Sequence, residues 1–257
     1  MSKRNTQQRR HVILSHLAEQ GEVSVDQLAI QFQTSEVTIR KDLAALENSG
    51  LLLRRYGGAV PLPQEIIQAE NSEQVSKRKL SIAREAARHV KDHNRIIIDS
   101  GRTTAAIVPE LSQKRGLVVM TNSLSIANQI HELENEPTLL MTGGTWDARS
   151  ESFQGKVAER VLRSYDFDQL FIGADGIDLQ RGTTTFNELI GLSQVMSGVA
   201  REVIVVVESE KIGRKIPNLE LPWDAVDTLI TDADISTAVQ QQIKAHNVNV
   251  ICAQTLD

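Results

Sequence analysis

Apolar residues follow two regimes along the chain. In the first 60 residues they recur at helical spacing in short bursts. Ile13, Leu14 and Leu17 form one stripe, which Gly21 ends. Ser24-Val25-Asp26-Gln27 reads as a capping box opening a second helix, with Leu28, Ala29 and Phe32 as its apolar face. Ser35 is an N-cap for a third helix, and Glu36 suits the positive end of its dipole. Ile39, Leu43 and Leu46 give that helix one buried stripe, and Asn48-Ser49-Gly50 stops it. Leu51 to Val60 then reads as a strand, a glycine turn and a returning strand. Residues 1–60 are thus predicted to form a winged helix-turn-helix. Pro61-Leu62-Pro63 opens a polar linker, 61–76.

From Lys77 to the end, 77–257, the pattern changes to short apolar runs separated by helical segments. The runs are Arg95–Asp99, Leu117–Thr121, Thr138–Thr142, Gln169–Ala174, Val203–Val207, Thr228–Thr231 and Val248–Cys252. Such alternation predicts an α/β domain with a largely parallel sheet covered on both faces. In an open sheet of this kind ligands bind beyond the carboxyl ends of the strands. Five polar clusters fall there: Asp99-Ser100-Gly101-Arg102-Thr103-Thr104, Thr121-Asn122-Ser123, Gly143-Gly144-Thr145, Gly173 to Asp178, and Gly182 to Glu188. The first follows a strand and opens a helix, the geometry of an anion-binding loop. On spacing alone it is equally a plain strand-ending turn.

Charge changes the picture for the first domain. The net charge of the whole chain is −5, yet residues 1–60 hold eight Lys/Arg against six Asp/Glu. Only a docking face must be positive for DNA binding. On the third helix Val37, Thr38 and Lys41 point outward and Arg40 flanks them. Val and Thr suit thymine methyls, and Arg and Lys suit phosphates or guanine. Arg54-Arg55-Tyr56 at the wing can grip the flanking backbone. No apolar run reaches the ~20 residues needed to span a bilayer, and the polar, basic N-terminus lacks a secretory h-region. The single cysteine, Cys252, sits in an apolar run that reads as a buried strand, and fits a reducing cytoplasm. Double-stranded DNA, and no membrane, is the expected partner.

Here the sequence resembles a known family. Arg9, Ile13 and Leu17, followed after 17 residues by Ser35-Glu36-Val37-Thr38-Ile39-Arg40-Lys41-Asp42-Leu43, look like the signature of the DeoR (deoxyribose/glycerol-phosphate repressor) family. The wing residues Arg55-Tyr56-Gly57-Gly58-Ala59 look like it too. The resemblance implies a regulator, usually a repressor of sugar-uptake or catabolic genes. Within it Ser35, Thr38, Arg40 and Lys41 would position the helix, and Glu36 and Val37 would choose the operator. The second domain also resembles the family's sensor domain, which is similar to ribose-5-phosphate isomerase and coenzyme A transferases. That implies a phosphorylated sugar as effector, and the likeness to hexitol and amino-sugar repressors favours a hexitol or hexosamine phosphate. By resemblance Asp99, Gly101, Thr103 and Thr104 would cradle the phosphate, with Ser100, Asn122, Gly143 and Gly144 on neighbouring strand ends. Asp175, Asp178 and Glu188 would bind sugar hydroxyls, and Lys211 would supply a cation. The chain would act as a homo-oligomer on repeated half-sites.

Two departures stand out. Arg102 replaces the family's usual Thr, Ser or Gly. Glu208-Ser209-Glu210-Lys211-Ile212 differs in three places from the usual Asp-x-Ser-Lys-Phe run. Catalysis is disfavoured, because Arg181-Gly182-Thr183 stands where the related isomerases carry a lysine, and arginine is a poor proton-transfer group. No Walker A run, Gly-x-Ser-x-Gly or Cys-x-x-Cys is present. His89 and His93 lack a third ligand, so neither a metal nor another cofactor is expected.

Overall fold

The computed structural model describes residues 3–48, 52–61, 76–148, 150–187, 190–214, 216 and 218–255. The chain divides into two units, Met1–Gln74 and Val75–Asp257.

The first unit contains helices α1 (Lys3–Gln20), α2 (Val25–Gln31) and α3 (Glu36–Asn48), with strands β1 (Val23–Ser24), β2 (Leu53–Arg55) and β3 (Gly58–Val60). Ile13, Leu17, Leu28, Ile39, Leu43 and Leu46, the stripes read from the sequence, make one buried cluster. Gly21, in the left-handed region, ends α1 by donating its N–H to the Leu17 carbonyl at 3.0 Å. The capping box at Ser24 does not form: no side-chain cap is made there. Ser24 instead pairs with Gly58 across the β1–β3 ladder, and the Val25 N–H donates to the Gly57 carbonyl at 2.7 Å. The wing thus satisfies the first orphan amide of α2. The ladder also explains Gly58, where a Cβ would lie 2.0 Å from the Val23 carbonyl oxygen.

Under this core Asp42 is 2% exposed and meets two arginines, Arg9 at 2.5 Å and Arg10 at 2.9 Å. These ion pairs join the middle of α1 to the middle of α3. Removing one partner from such a buried pair typically costs about 3–5 kcal/mol, because a charge is left uncompensated.

The second unit begins with α4 (Lys77–Arg88), capped by Ser76, whose hydroxyl accepts from the Lys79 N–H. Residues 62–75, most of the expected linker, lie outside the described residues. The seven apolar runs become seven strands: β4 (Arg95–Ile98), β5 (Val118–Thr121), β6 (Thr138–Met141), β9 (Phe167–Ile172), β12 (Ala200–Val206), β14 (Thr228–Thr231) and β15 (Asn249–Cys252). They form one sheet in the order β15-β14-β12-β9-β4-β5-β6, and each of its ladders is parallel. Alternate residues serve opposite faces. Ile97, Leu170 and Val205 pack with Leu162 of α8 (Lys156–Leu162) and Met196 of α9 (Gly191–Gly198). Ile96, Ile98, Phe171 and Ile204 pack with Ile82 of α4, Ile107 of α6 (Ile107–Glu110) and Ile126 of α7 (Leu124–His131). Burial on both sides is why these strands read as continuous apolar runs.

Two features depart from the sequence reading. A hairpin, β7 (Thr145–Asp147) and β8 (Ser152–Gln154), follows β6. A separate antiparallel sheet joins β10 (Gly176–Asp178), β11 (Gly182–Thr185) and β13 (Asn218–Pro222). Cys252 is exposed rather than buried: it shares a face with the buried Val250, but it stands at the end of the edge strand β15, where that face is left uncovered. Among the described residues no helix is long and apolar enough to cross a membrane.

Candidate effector crevice and DNA-reading surface

The chain leaves β4 toward β5 and β6, then returns to β9 on β4's other side and proceeds outward to β15. The winding reverses between β4 and β9. A crevice opens beyond the carboxyl ends of such a strand pair, since the connections depart to opposite sides. Asp99 and Asp175 are the first carboxylates after these two strands.

Asp99 is held from two directions. The Asn122 amide donates to its Oδ1 at 2.7 Å, and the Asn122 carbonyl oxygen accepts from the Ser100 N–H at 2.9 Å. Asn122, 1% exposed, thereby braces the Asp99 turn from the end of β5. Gly101 has φ 145°, a backbone that favours glycine, and its carbonyl accepts from the Thr104 hydroxyl at 2.9 Å. The helix that follows, α5 (Arg102–Ala105), is only four residues long. Its dipole is therefore short, and any anion there would depend on first-turn amides and on side chains. Arg102 is exposed, while Thr103 and Thr104 are buried.

Asp175 accepts from the Thr185 hydroxyl at 2.8 Å and the Phe186 N–H at 3.1 Å. Lys211 reaches the same strand end, its Nζ donating to the Ala174 carbonyl at 3.2 Å. Asp178 has a local role: its carboxylate accepts from the Gln180 and Arg181 amides and from the Arg181 guanidinium, closing the β10–β11 turn. Partial burial works against that charge, but the Arg181 and backbone hydrogen bonds win and hold the carboxyl below its usual range. Gly143 and Gly144 lie beyond β6, at the far edge from β9. Gly144 admits the β8 backbone, since a Cβ would sit 2.5 Å from the Gln154 carbonyl oxygen. Glu188 lies outside the described residues.

The sequence reading missed Glu220. It is buried on β13, accepting from the Ser193 hydroxyl at 2.8 Å and, more weakly, from Thr183 at 3.5 Å. Burial and then the charges of Asp99 and Asp175 push its carboxyl from the ordinary 4.5 up to about 8. Burial likewise raises Asp99 to about 6, against the lowering pull of Asn122 and Ser100. Three carboxylates therefore share one electrostatic neighbourhood at the switch point. In sequence Glu220 stands between two leucines, where alternation places it on a solvent face. Only the bulge between Thr183 and Thr184 in the facing strand hints otherwise, and that is a property of the ladder.

In the first unit, Ser35 does cap α3, accepting from the Thr38 N–H at 3.3 Å, and the two hydroxyls lie 2.9 Å apart. Val37 is 58% exposed and Tyr56 fully exposed. Lys41 is exposed as well. The remaining cations have acidic neighbours: Arg40 pairs with Glu36 at 2.6 Å, Arg54 with Glu47 at 2.7 Å and Arg55 with Glu22 at 2.5 Å. Arg40 and Glu36 sit one helical turn apart on the surface, where such a pair contributes little and exchanges partners cheaply.

Glu220 generates a pH prediction. The folded chain holds this proton to higher pH than the unfolded chain. Its contribution to stability is therefore fully present below about pH 4.5 and is lost as pH rises toward about 8. The parent's unfolding free energy from denaturant titration should fall between about pH 5 and about pH 8.5, by on the order of a few kcal/mol. Glu220→Gln keeps the shape without the charge and should remove most of that slope; equal slopes in both proteins would refute the assignment.

Comparison with known proteins accords with this architecture. The family model for the DeoR-like helix-turn-helix domain matches residues 9–65, and that for the DeoR C terminal sensor domain matches residues 74–233. A putative aga operon transcriptional repressor of Escherichia coli O157:H7 is 36% identical over 253 residues, covering 96% of this chain and 93% of the relative. The HTH-type transcriptional regulator GlpR of Haloferax volcanii is 29% identical over 248 residues, covering 95% and 96%. Among solved structures, a probable sor operon regulator from Shigella flexneri covers 72% of this chain and 87% of its own, with TM-score 0.42 and 10% identity. A ribose 5-phosphate isomerase from Methanocaldococcus jannaschii covers 52% of this chain and 53% of its own, with TM-score 0.38 and 21% identity. The chain belongs to the DeoR family: it is a DNA-binding transcription regulator with a small-molecule sensor domain, and not an enzyme.

Proposed function

We propose that this regulator represses a carbohydrate-uptake, catabolic or amino-sugar operon and leaves its operator when a phosphorylated sugar, a hexosamine or hexitol phosphate, enters the crevice between β4 and β9. The observation that carries the reading is the gathering of Asp99, Ser100, Asn122, Asp175 and Lys211 at that switch point. The phosphate would rest on the Gly101–Thr104 turn, with Arg102 at the rim as its cation. A guanidinium can bind a phosphate through two charge-assisted hydrogen bonds. Asp175 and Glu188 would take sugar hydroxyls, and a hexosamine's ammonium would relieve the repulsion among Asp99, Asp175 and Glu220. The name of the aga operon relative favours an amino sugar. Paired heads of a homo-oligomer would read repeated half-sites. Release requires that the ligand favour the arrangement that does not fit them.

On the DNA side, α3 would enter the major groove, with Val37 and Glu36 choosing bases and Thr38, Arg40, Lys41 and the wing residues holding the backbone. Lys41→Ala should weaken binding to all sequences alike and lower the salt slope by about one phosphate's share, roughly 0.9 in log–log terms. A fluorescence titration at several salt concentrations measures this, and an unchanged slope would remove Lys41 from the interface.

The effector test is an operator mobility shift repeated with a panel of hexosamine and hexitol phosphates and their unphosphorylated sugars. Only phosphorylated members should release the parent. Arg102→Thr should weaken the releasing ligand by about 1–3 kcal/mol in calorimetric titration, the cost of a lost hydrogen bond to a charged group. Release by a free sugar, or parent-like affinity in the variant, would move the phosphate away from this loop.

A further inference from the structure

We propose that the segment 208–213, and Glu208 above all, is the mechanical link that carries occupancy of the crevice to the first turn of α4, the point at which the chain enters the sensor unit. The inference rests on the crevice being the effector site, and it concerns how that site is connected rather than what it binds.

One end of the segment is fastened to the crevice. Lys211 Nζ donates to the Ala174 carbonyl at 3.2 Å, the Gly213 N–H donates to the Ile177 carbonyl at 2.8 Å, and Ile212 bridges to Ile177. A ligand that moves the 174–178 strand end, or draws Lys211 to itself, therefore pulls on this segment. The other end is fastened to α4. The buried Glu208 carboxylate accepts from the Ser76 hydroxyl at 2.9 Å and meets Lys79 Nζ at 3.2 Å. Arg78 lies between those residues and pairs with Asp234 at 2.6 Å and Glu210 at 3.4 Å. Ser76 is also the N-cap of α4.

Between its ends the segment is stiff. Ser209 donates its N–H and hydroxyl to Asp232 at 2.8 and 2.7 Å, and the Lys211 N–H closes a tight turn onto the Glu208 carbonyl at 3.0 Å. A stiff turn transmits displacement instead of absorbing it. A buried carboxylate cannot drift off its partners, since losing them leaves an uncompensated charge. The contact to Ser76 and Lys79 thus has two states, held or broken, and such a bistable contact is what coupling between sites requires. A position that only stapled α4 in place would have no need of the second fastening at Ala174 and Ile177.

The test uses the full chain, galactosamine 6-phosphate and galactitol 6-phosphate as probes, and two readouts: probe affinity by calorimetry and the probe concentration that half-releases labelled operator. Glu208→Gln and the milder Ser76→Ala should bind operator as the parent does and bind the probe within about threefold of it. Half-release should need at least about tenfold more probe, within the usual range of coupling. If affinity and half-release move together, or neither moves, the link is wrong. Should Glu208→Gln fail to fold, Ser76→Ala and Lys79→Gln decide. If neither probe binds the parent, the sugar-phosphate reading has failed, and hydrogen exchange without ligand judges the link separately. Lys211→Met, which frees the crevice end, should speed exchange of the Lys79 and Leu80 amides. Parent-like exchange at both would overturn the proposal.

Discussion

The sensor unit depends on one constraint, the reversal of winding between two adjacent parallel strands. Every strand of the main sheet points the same way, so all carboxyl ends share one edge. Where β4 and β9 lie side by side their connections leave in opposite directions, the arrangement in which open α/β sheets place a ligand crevice. Polar residues stand at these strand ends. Their neighbours fix how they stand: Asn122 holds Asp99 from the next strand, and Thr185 holds Asp175 from the small antiparallel sheet. That small sheet also brings Glu220 within electrostatic reach of both. The result is that burial and neighbouring carboxylates hold Asp99 and Glu220 back from ionising, a state that an incoming cation or hydrogen-bonding ligand can relieve.

The DNA-binding unit has the opposite electrostatic economy. Its buried charge is neutralised internally, with Asp42 between Arg9 and Arg10, and Arg40, Arg54 and Arg55 have acidic partners. The positive face is therefore conditional. A phosphate has to compete with Glu36, Glu47 and Glu22 for the arginines, and at exposed positions that competition is close to even. Such a surface binds DNA weakly unless several contacts form at once.

Legibility in the sequence followed burial. The seven main strands were readable because both faces are covered, leaving unbroken runs such as Ile96-Ile97-Ile98. The three helices of the first unit were readable because a single stripe each, such as Ile39, Leu43 and Leu46, faces one core. The antiparallel sheet was not readable. Thr183 and Thr184 are fully buried yet polar, and a threonine run opened by glycine looks like a loop. Ser24 had the spacing of a capping box, but its backbone is paired into the β1–β3 ladder and its side chain makes no cap. Cys252 had apolar neighbours, and only its place at the end of the edge strand left it uncovered. At the candidate site the strand-end residues were found by position, whereas Glu220 and the Glu208–Ser76 contact depend on pairings between residues far apart in sequence.

The central claim is that the effector enters between β4 and β9. Hydrogen exchange of the full chain with and without galactosamine 6-phosphate or galactitol 6-phosphate, whichever binds, tests it most directly, since a bound ligand slows the opening of the backbone it touches. The account predicts protection concentrated in residues 99–104 and 174–178. Protection confined to the amino ends of the strands, around Arg95, Asp168 and Arg201, would contradict it.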